Sequence, residues 1–144
     1  MLRDPLNVIP SGLSLVTGVL DKKFGFWNLP ETKRKHYIDH LYKALIELQL
    51  RFHDDWINNR FDKNKVMIVH FDRMMSDFEG LMSDIVNFTE HVASDTLKQD
   101  IIKVAEKQRN YISKHKYDLE KFGLSESRIR EDCKDIYQTF LNET

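Results

Sequence analysis

One cysteine, Cys133, is all that this 144-residue chain carries. That scarcity excludes an internal disulfide and any thiolate-rich metal site, so the fold does not depend on oxidation. Glycine is nearly as sparse, with five residues at positions 12, 18, 25, 80 and 123, and no stretch forms a glycine-rich loop ending in Lys-Ser or Lys-Thr. A phosphate cradle of that type needs successive backbone N–H groups turned toward one point, and nothing in this sequence supplies them. No apolar run approaches the roughly 20 residues a helix needs to span a bilayer, and the chain does not open on a signal-peptide pattern. Charge of one sign is missing too: 22 Lys and Arg stand against 23 Asp and Glu, a formal net charge of −1. That balance gives neither the basic field of a nucleic-acid binder nor an acidic tail.

These absences leave a soluble chain, read as a single domain over residues 1–144 and long enough for a core of its own, with no nucleic-acid partner and no metal. No internal repeat, low-complexity linker or membrane anchor is visible, and nothing fixes the oligomeric state. The compartment stays open, with the cytoplasm favoured. Asn87-Phe88-Thr89 and Asn142-Glu143-Thr144 match glycosylation sequons, but they matter only in a secretory compartment, and Asn87 falls inside an expected helix.

What is present is mostly helical periodicity. Val8, Leu13, Leu15, Val16, Val19 and Leu20 predict a largely apolar helix to about residue 20, kinked or restarted at Pro10. Residues 21–30, with Gly25 among Phe24, Phe26 and Trp27, read as a loop whose aromatic side chains plug the core or cover a pocket. From residue 31 to about 60, Tyr37, Leu41, Leu45, Leu48, Phe52 and Trp56 recur every three or four positions, the mark of one long amphipathic helix. Residues 65–71 make the one convincing strand, a Val- and Ile-rich run of the kind buried on both faces of a parallel sheet. Helices are then expected over about 78–91, over 94–109 with Ser94 as N-cap, and over 125–141, the last with Ile129, Ile136, Tyr137 and Phe140 as its buried stripe.

The chemistry concentrates at Arg3-Asp4-Pro5-Leu6-Asn7-Val8-Ile9-Pro10-Ser11, where an arginine is followed eight positions later by a serine. A guanidinium presents a planar fork of donors that fits phosphate oxygens. The Ser11 hydroxyl and free N–H groups at a helix start would add more, so the segment can form half of an anion site. The same residues also make an ordinary helix opening, with Asp4 as N-cap and Pro5 in the first turn. Two later segments tip the reading. Val66-Met67-Ile68-Val69-His70-Phe71-Asp72 looks like a buried strand running into an aromatic and an acidic residue, and His115-Lys116-Tyr117-Asp118-Leu119-Glu120-Lys121-Phe122-Gly123-Leu124 leads into the last helix.

In this order the three segments resemble the sulfotransferases that use 3′-phosphoadenosine 5′-phosphosulfate (PAPS) as sulfonyl donor, with Phe71 and Asp72 standing where Tyr and Glu are usual. The resemblance implies an α/β fold of the P-loop type, of which this chain would be the C-terminal portion, dominated by helices around one core parallel strand at about 65–71. It implies that Arg3 and Ser11 bind the 3′-phosphate of PAPS. Lys114 and Lys116, with Lys107 and Arg109, become candidates to complete that phosphate shell, although the Arg-Lys-Gly pattern of the cytosolic branch is absent. It further implies sulfonyl transfer to a hydroxyl or amine acceptor of unknown class, in line at sulfur, with a base removing the proton. No catalytic base is identified, and the Lys-bearing loop for the 5′-phosphosulfate is absent from this sequence, so the chain alone is expected to hold part of the donor without transferring sulfate efficiently. The alternative is a non-catalytic helical remnant that binds a nucleotide or a protein.

Other constellations read as structure. His36 and His40 lie four apart with Asp39 between them and could present two imidazoles to one metal, but the Glu of His-Glu-x-x-His and a third ligand are missing, so helix-surface histidines are the expectation. Cys133 has no base at telling distance and no nucleophile elbow. His70, at the end of the expected strand, could face a ligand or belong to a capping layer. Phe122, Gly123 and Leu124 suit a left-handed turn that anchors the last helix.

Overall fold

The computed structural model describes residues 1–110 and 118–141. Among these, residues 4–61 with 118–141 make one compact unit, and residues 1–3 with 62–110 make another.

The larger unit is built on two long helices. Asp4 starts α1 (Pro5–Phe24) as N-cap, its carboxylate accepting the Leu6 N–H at 2.8 Å, with Pro5 pre-set for the first turn. Pro10 sits inside the helix without stopping it, and α1 runs on past residue 20 to Gly25, whose left-handed backbone (φ 64°) closes it. Ile9, Leu13 and Thr17, spaced by four, are buried on one face, and the Thr17 hydroxyl is satisfied by the Leu13 carbonyl at 2.7 Å. The expected loop at 21–30 shrinks to a tight turn. There Phe26 is buried and meets Trp27 and Tyr37 edge-on at 5.1 and 5.6 Å, so it plugs the core, whereas Phe24 stays exposed.

Helix α2 (Glu31–Ile57) is the long amphipathic helix, but its buried seam is Ile38, Tyr42 and Ile46, next to the expected stripe. Of that stripe, Tyr37 and Leu48 are exposed, and Phe52 and Trp56 leave the seam to pack with Phe61 and Phe140. Helices α1 and α2 approach closely at Gly12, where an added Cβ would lie 3.0 Å from Leu45 Cδ1. After the left-handed Gly123, Ser125 caps α6 (Glu126–Asp132), accepting the Arg128 N–H at 3.3 Å. The single expected C-terminal helix is divided at Cys133, and α7 (Lys134–Phe140) follows. Across this division Ile129, Cys133, Ile136, Tyr137 and Phe140 are all buried, each large side chain contributing about 1.5–3 kcal/mol.

The smaller unit contains α3 (Phe71–Ser76), α4 (Phe78–Phe88) and α5 (Asp95–Arg109). Asp77 caps α4 through the Gly80 N–H at 3.1 Å, and Ser94 caps α5 through Leu97 at 3.2 Å. Leu81 and Ala105 are its most buried apolar residues.

The expected core parallel strand at 65–71 is not formed, and the α/β reading is corrected: the described residues are helical, with no strand or sheet among them. Lys63–Lys65 is a 3-10 turn, residues 66–69 have no regular structure, and Phe71 already begins α3. The β-type pairing that exists is one isolated parallel bridge between Leu2 and His70, made by Leu2 N–H to the Val69 carbonyl (2.7 Å) and Phe71 N–H to the Leu2 carbonyl (2.8 Å). A ladder needs a second extended segment alongside it. Beyond Leu2 the chain turns at once into the Asp4 cap, and beyond His70 it turns into α3, so the pairing cannot continue in that direction. The branched side chains of Val66, Ile68 and Val69 favour extended backbone but do not provide a partner.

Candidate functional site

Arg3 lies in the smaller unit, half-buried, with its guanidinium carbon 4.2 Å from the centre of the Phe71 ring. The bridge between Leu2 and His70 fixes the backbone on both sides of this stack. Among the described residues no carboxylate pairs with Arg3, so the stack orients the guanidinium while its N–H donors remain uncommitted. Most other arginines here are taken: Arg60 by Asp54 and Asp55, Arg73 by Asp77 and Asp84, Arg109 by Glu79, and Arg128 by Asp39 and Asp132.

Ser11 lies in the larger unit, half-buried on α1, and among the described residues its hydroxyl has no hydrogen-bond partner. The start of α1, however, offers no spare donors. Pro5 has no N–H, Leu6 gives its own to the Asp4 carboxylate, and Asn7 and Val8 give theirs to the Asp4 carbonyl at 2.8 and 3.0 Å. The helix-start N–H groups expected from the sequence are therefore consumed by the cap, and any anion contact from this region falls to side chains.

Arg109 is held by Glu79 at 2.5 Å and so leaves the set of free phosphate ligands. Lys107 sits exposed in the last turn of α5. Lys114 and Lys116 lie outside the described residues. His70 is exposed and precedes α3. His36 and His40 stand side by side on the exposed face of α2, ring centres 4.1 Å apart. Cys133 is fully buried, and burial, with Asp132 and Asp4 adding, pushes its thiol up to about 12, so it is no nucleophile near neutrality.

Two features escaped the sequence. Tyr137 donates its hydroxyl to Asp4, and Tyr42 donates to Asp132, both at 2.6 Å. Burial first and these carboxylates second raise both phenols, keeping them protonated. In the larger unit a pocket of about 250 Å³ also opens beside Trp27, whose ring carries the Lys121 ammonium at 4.4 Å, with Arg34 bonded to the Trp27 carbonyl at 2.8 Å. Glu31 and Glu120 line it too, so it carries no clear charge preference.

No family model matches the chain, and no curated protein or solved structure matches it either. No described helix is long and apolar enough to cross a membrane.

Proposed function

We propose that this chain carries the 3′-phosphate-binding part of the donor site of a PAPS-dependent sulfotransferase. The observation that supports the reading is Arg3: a guanidinium oriented by Phe71 and paired with no carboxylate among the described residues is suited to an external anion. Arg3 supplies a bidentate contact to phosphate oxygens, and Ser11, Lys114 and Lys116 stay the candidates that the sequence resemblance offers for further contacts. PAPS, when bound, supplies the sulfonyl group destined for a hydroxyl or amine acceptor. Neither Arg3 nor Ser11 moves a proton, so their part is to bind and orient.

Calorimetric titration of the chain with 3′-phosphoadenosine 5′-phosphate and with 5′-AMP, which lacks the 3′-phosphate, tests this. Saturable binding of the first and markedly weaker binding of the second is expected, and equal affinities would overturn it. The helical character of the described residues, together with the missing phosphate loop, favours a second reading: a non-catalytic remnant that binds nucleotide or protein. Without the phosphosulfate loop and an identified base, neither reading expects efficient turnover of PAPS by this chain, so a preference for the 3′-phosphate over 5′-AMP is what separates the first reading from a remnant that binds protein.

A further inference from the structure

His36 and His40 project from successive turns of α2, both exposed, with ring centres 4.1 Å apart. His40 Nδ1 lies 2.9 Å from the His36 carbonyl oxygen. A carbonyl oxygen can only accept, so Nδ1 carries the hydrogen, and in the neutral ring Nε2 is left with the lone pair. An imidazole whose second nitrogen donates to a backbone carbonyl is the arrangement that fixes tautomer and ring orientation in metal-bound histidines. Among the described residues His36 has no hydrogen bond, so its ring is free to turn either nitrogen toward the same point. Imidazole nitrogens sit about 2.0–2.1 Å from zinc, so two sharing one ion are at most about 4 Å apart, a separation open to rings at this spacing.

We propose that His36 and His40 form a two-histidine site for a late first-row divalent cation, with Zn²⁺ and Cu²⁺ the favoured ions and water completing the coordination. Two details set its character. Asp39, the nearest acidic neighbour in sequence, is engaged by Lys43 at 2.8 Å and by Arg128 at 3.6 Å, so it does not become a third ligand. No cluster of three or more His, Cys, Asp or Glu side chains suited to a metal exists among the described residues. The site is therefore bidentate and open. Imidazole donors select Zn²⁺ and Cu²⁺ over Mg²⁺ and Ca²⁺, and Cu²⁺ binds more tightly than Zn²⁺. This inference is independent of the PAPS reading, because it rests on α2 alone.

The test is calorimetric titration of the tag-free, chelator-treated chain with Zn²⁺, Cu²⁺ and Mg²⁺, beside the variants His36→Ala, His40→Ala and His53→Ala. One saturable Zn²⁺ site per chain is expected, with tighter Cu²⁺ binding and none of Mg²⁺. Loss of an outer partner alone costs a metal site about tenfold, so loss of either ligand must weaken Zn²⁺ by at least that factor, while His53→Ala leaves it unchanged. Circular dichroism of the apo variants should be unaltered, since both rings are exposed. Electron paramagnetic resonance of the Cu²⁺ form should show coupling to two nitrogens in the wild type and one in either variant. Absence of saturable Zn²⁺ binding, or wild-type affinity in both His36→Ala and His40→Ala, would overturn the site.

Discussion

Tyr137 donates its hydroxyl to Asp4 Oδ1 at 2.6 Å across 133 residues of sequence, and the same oxygen accepts the Leu6 N–H that opens α1. One carboxylate thus caps the first helix and holds the last. Tyr137→Phe keeps the packing but removes a bond to a charged acceptor, so urea unfolding should show a loss of about 1.5–3 kcal/mol. Asp4→Ala removes the cap as well and should cost about 1 kcal/mol more. The double variant should then fall short of the summed losses, because the two share one interaction. Wild-type stability in Tyr137→Phe would show that the bond contributes nothing.

Alkaline pH should unfold the larger unit early. The Cys133 thiol is raised to about 12 by burial, and the Tyr42 and Tyr137 phenols are raised by burial and by Asp132 and Asp4. All three hold their protons more tightly when folded. Their contribution is complete below the unfolded values, near 9.0 for the thiol and 10.0 for the phenols, and is lost as pH climbs above them. Each group can steepen the decline by at most about 1.4 kcal/mol per pH unit. Thermal unfolding across this range should show a falling Tm, and the fall should be shallower in Tyr137→Phe. Equal slopes in the two proteins would refute the assignment.

Two glycines on α1 should respond oppositely to alanine. A Cβ at Gly18 meets nothing within 4 Å, so Gly18→Ala should gain about 0.5–1 kcal/mol from helix propensity. At Gly12 the new methyl would press on Leu45 at 3.0 and 3.1 Å. Overpacking of a core typically costs about 1–3 kcal/mol, so Gly12→Ala should show no gain or a net loss. Melting temperatures of the two variants decide it, and a gain at Gly12 equal to that at Gly18 would mean the helices yield freely there.

In the PAPS reading, Arg3→Ala should weaken 3′-phosphoadenosine 5′-phosphate binding by about 1.5–3 kcal/mol, the range of a charge-assisted hydrogen bond. Phe71→Leu should weaken it less, by about 0.5–1 kcal/mol, because it removes the stack that orients the guanidinium and leaves the charge. Competition against 5′-AMP should show both losses confined to the 3′-phosphate. An unchanged affinity in Arg3→Ala would remove this arginine from the site.

What could be read from the sequence was what is decided locally. Asp4, Ser94 and Ser125 cap helices as their spacing predicts, because a cap depends on residues two or three positions away. The strand failed because extended backbone is local but a ladder is not: Val66, Ile68 and Val69 could not reveal that pairing would stop at Leu2. The seam of α2 was misplaced by one residue because apolar side chains surround much of that helix, and only its neighbours select Ile38, Tyr42 and Ile46. At the candidate site, Arg3 and Ser11 were legible as donor types. The stack on Phe71 and the exhaustion of the α1 N–H groups depend on tertiary contact and cap geometry, which a motif does not encode.

The larger unit is interrupted in sequence by the smaller one. On the ribosome, α1 and α2 emerge more than fifty residues before the helices that complete their core, since Tyr42 waits for Asp132 and Asp4 for Tyr137. Until then the apolar faces around Ile9, Leu13 and Ile46 lack the cover of α6 and α7, whereas residues 62–110 are contiguous and can close on themselves as they are made. Synthesis therefore sets an order of assembly in which the inserted segment matures first, and a nascent chain halted before residue 126 should attract chaperones through its first two helices.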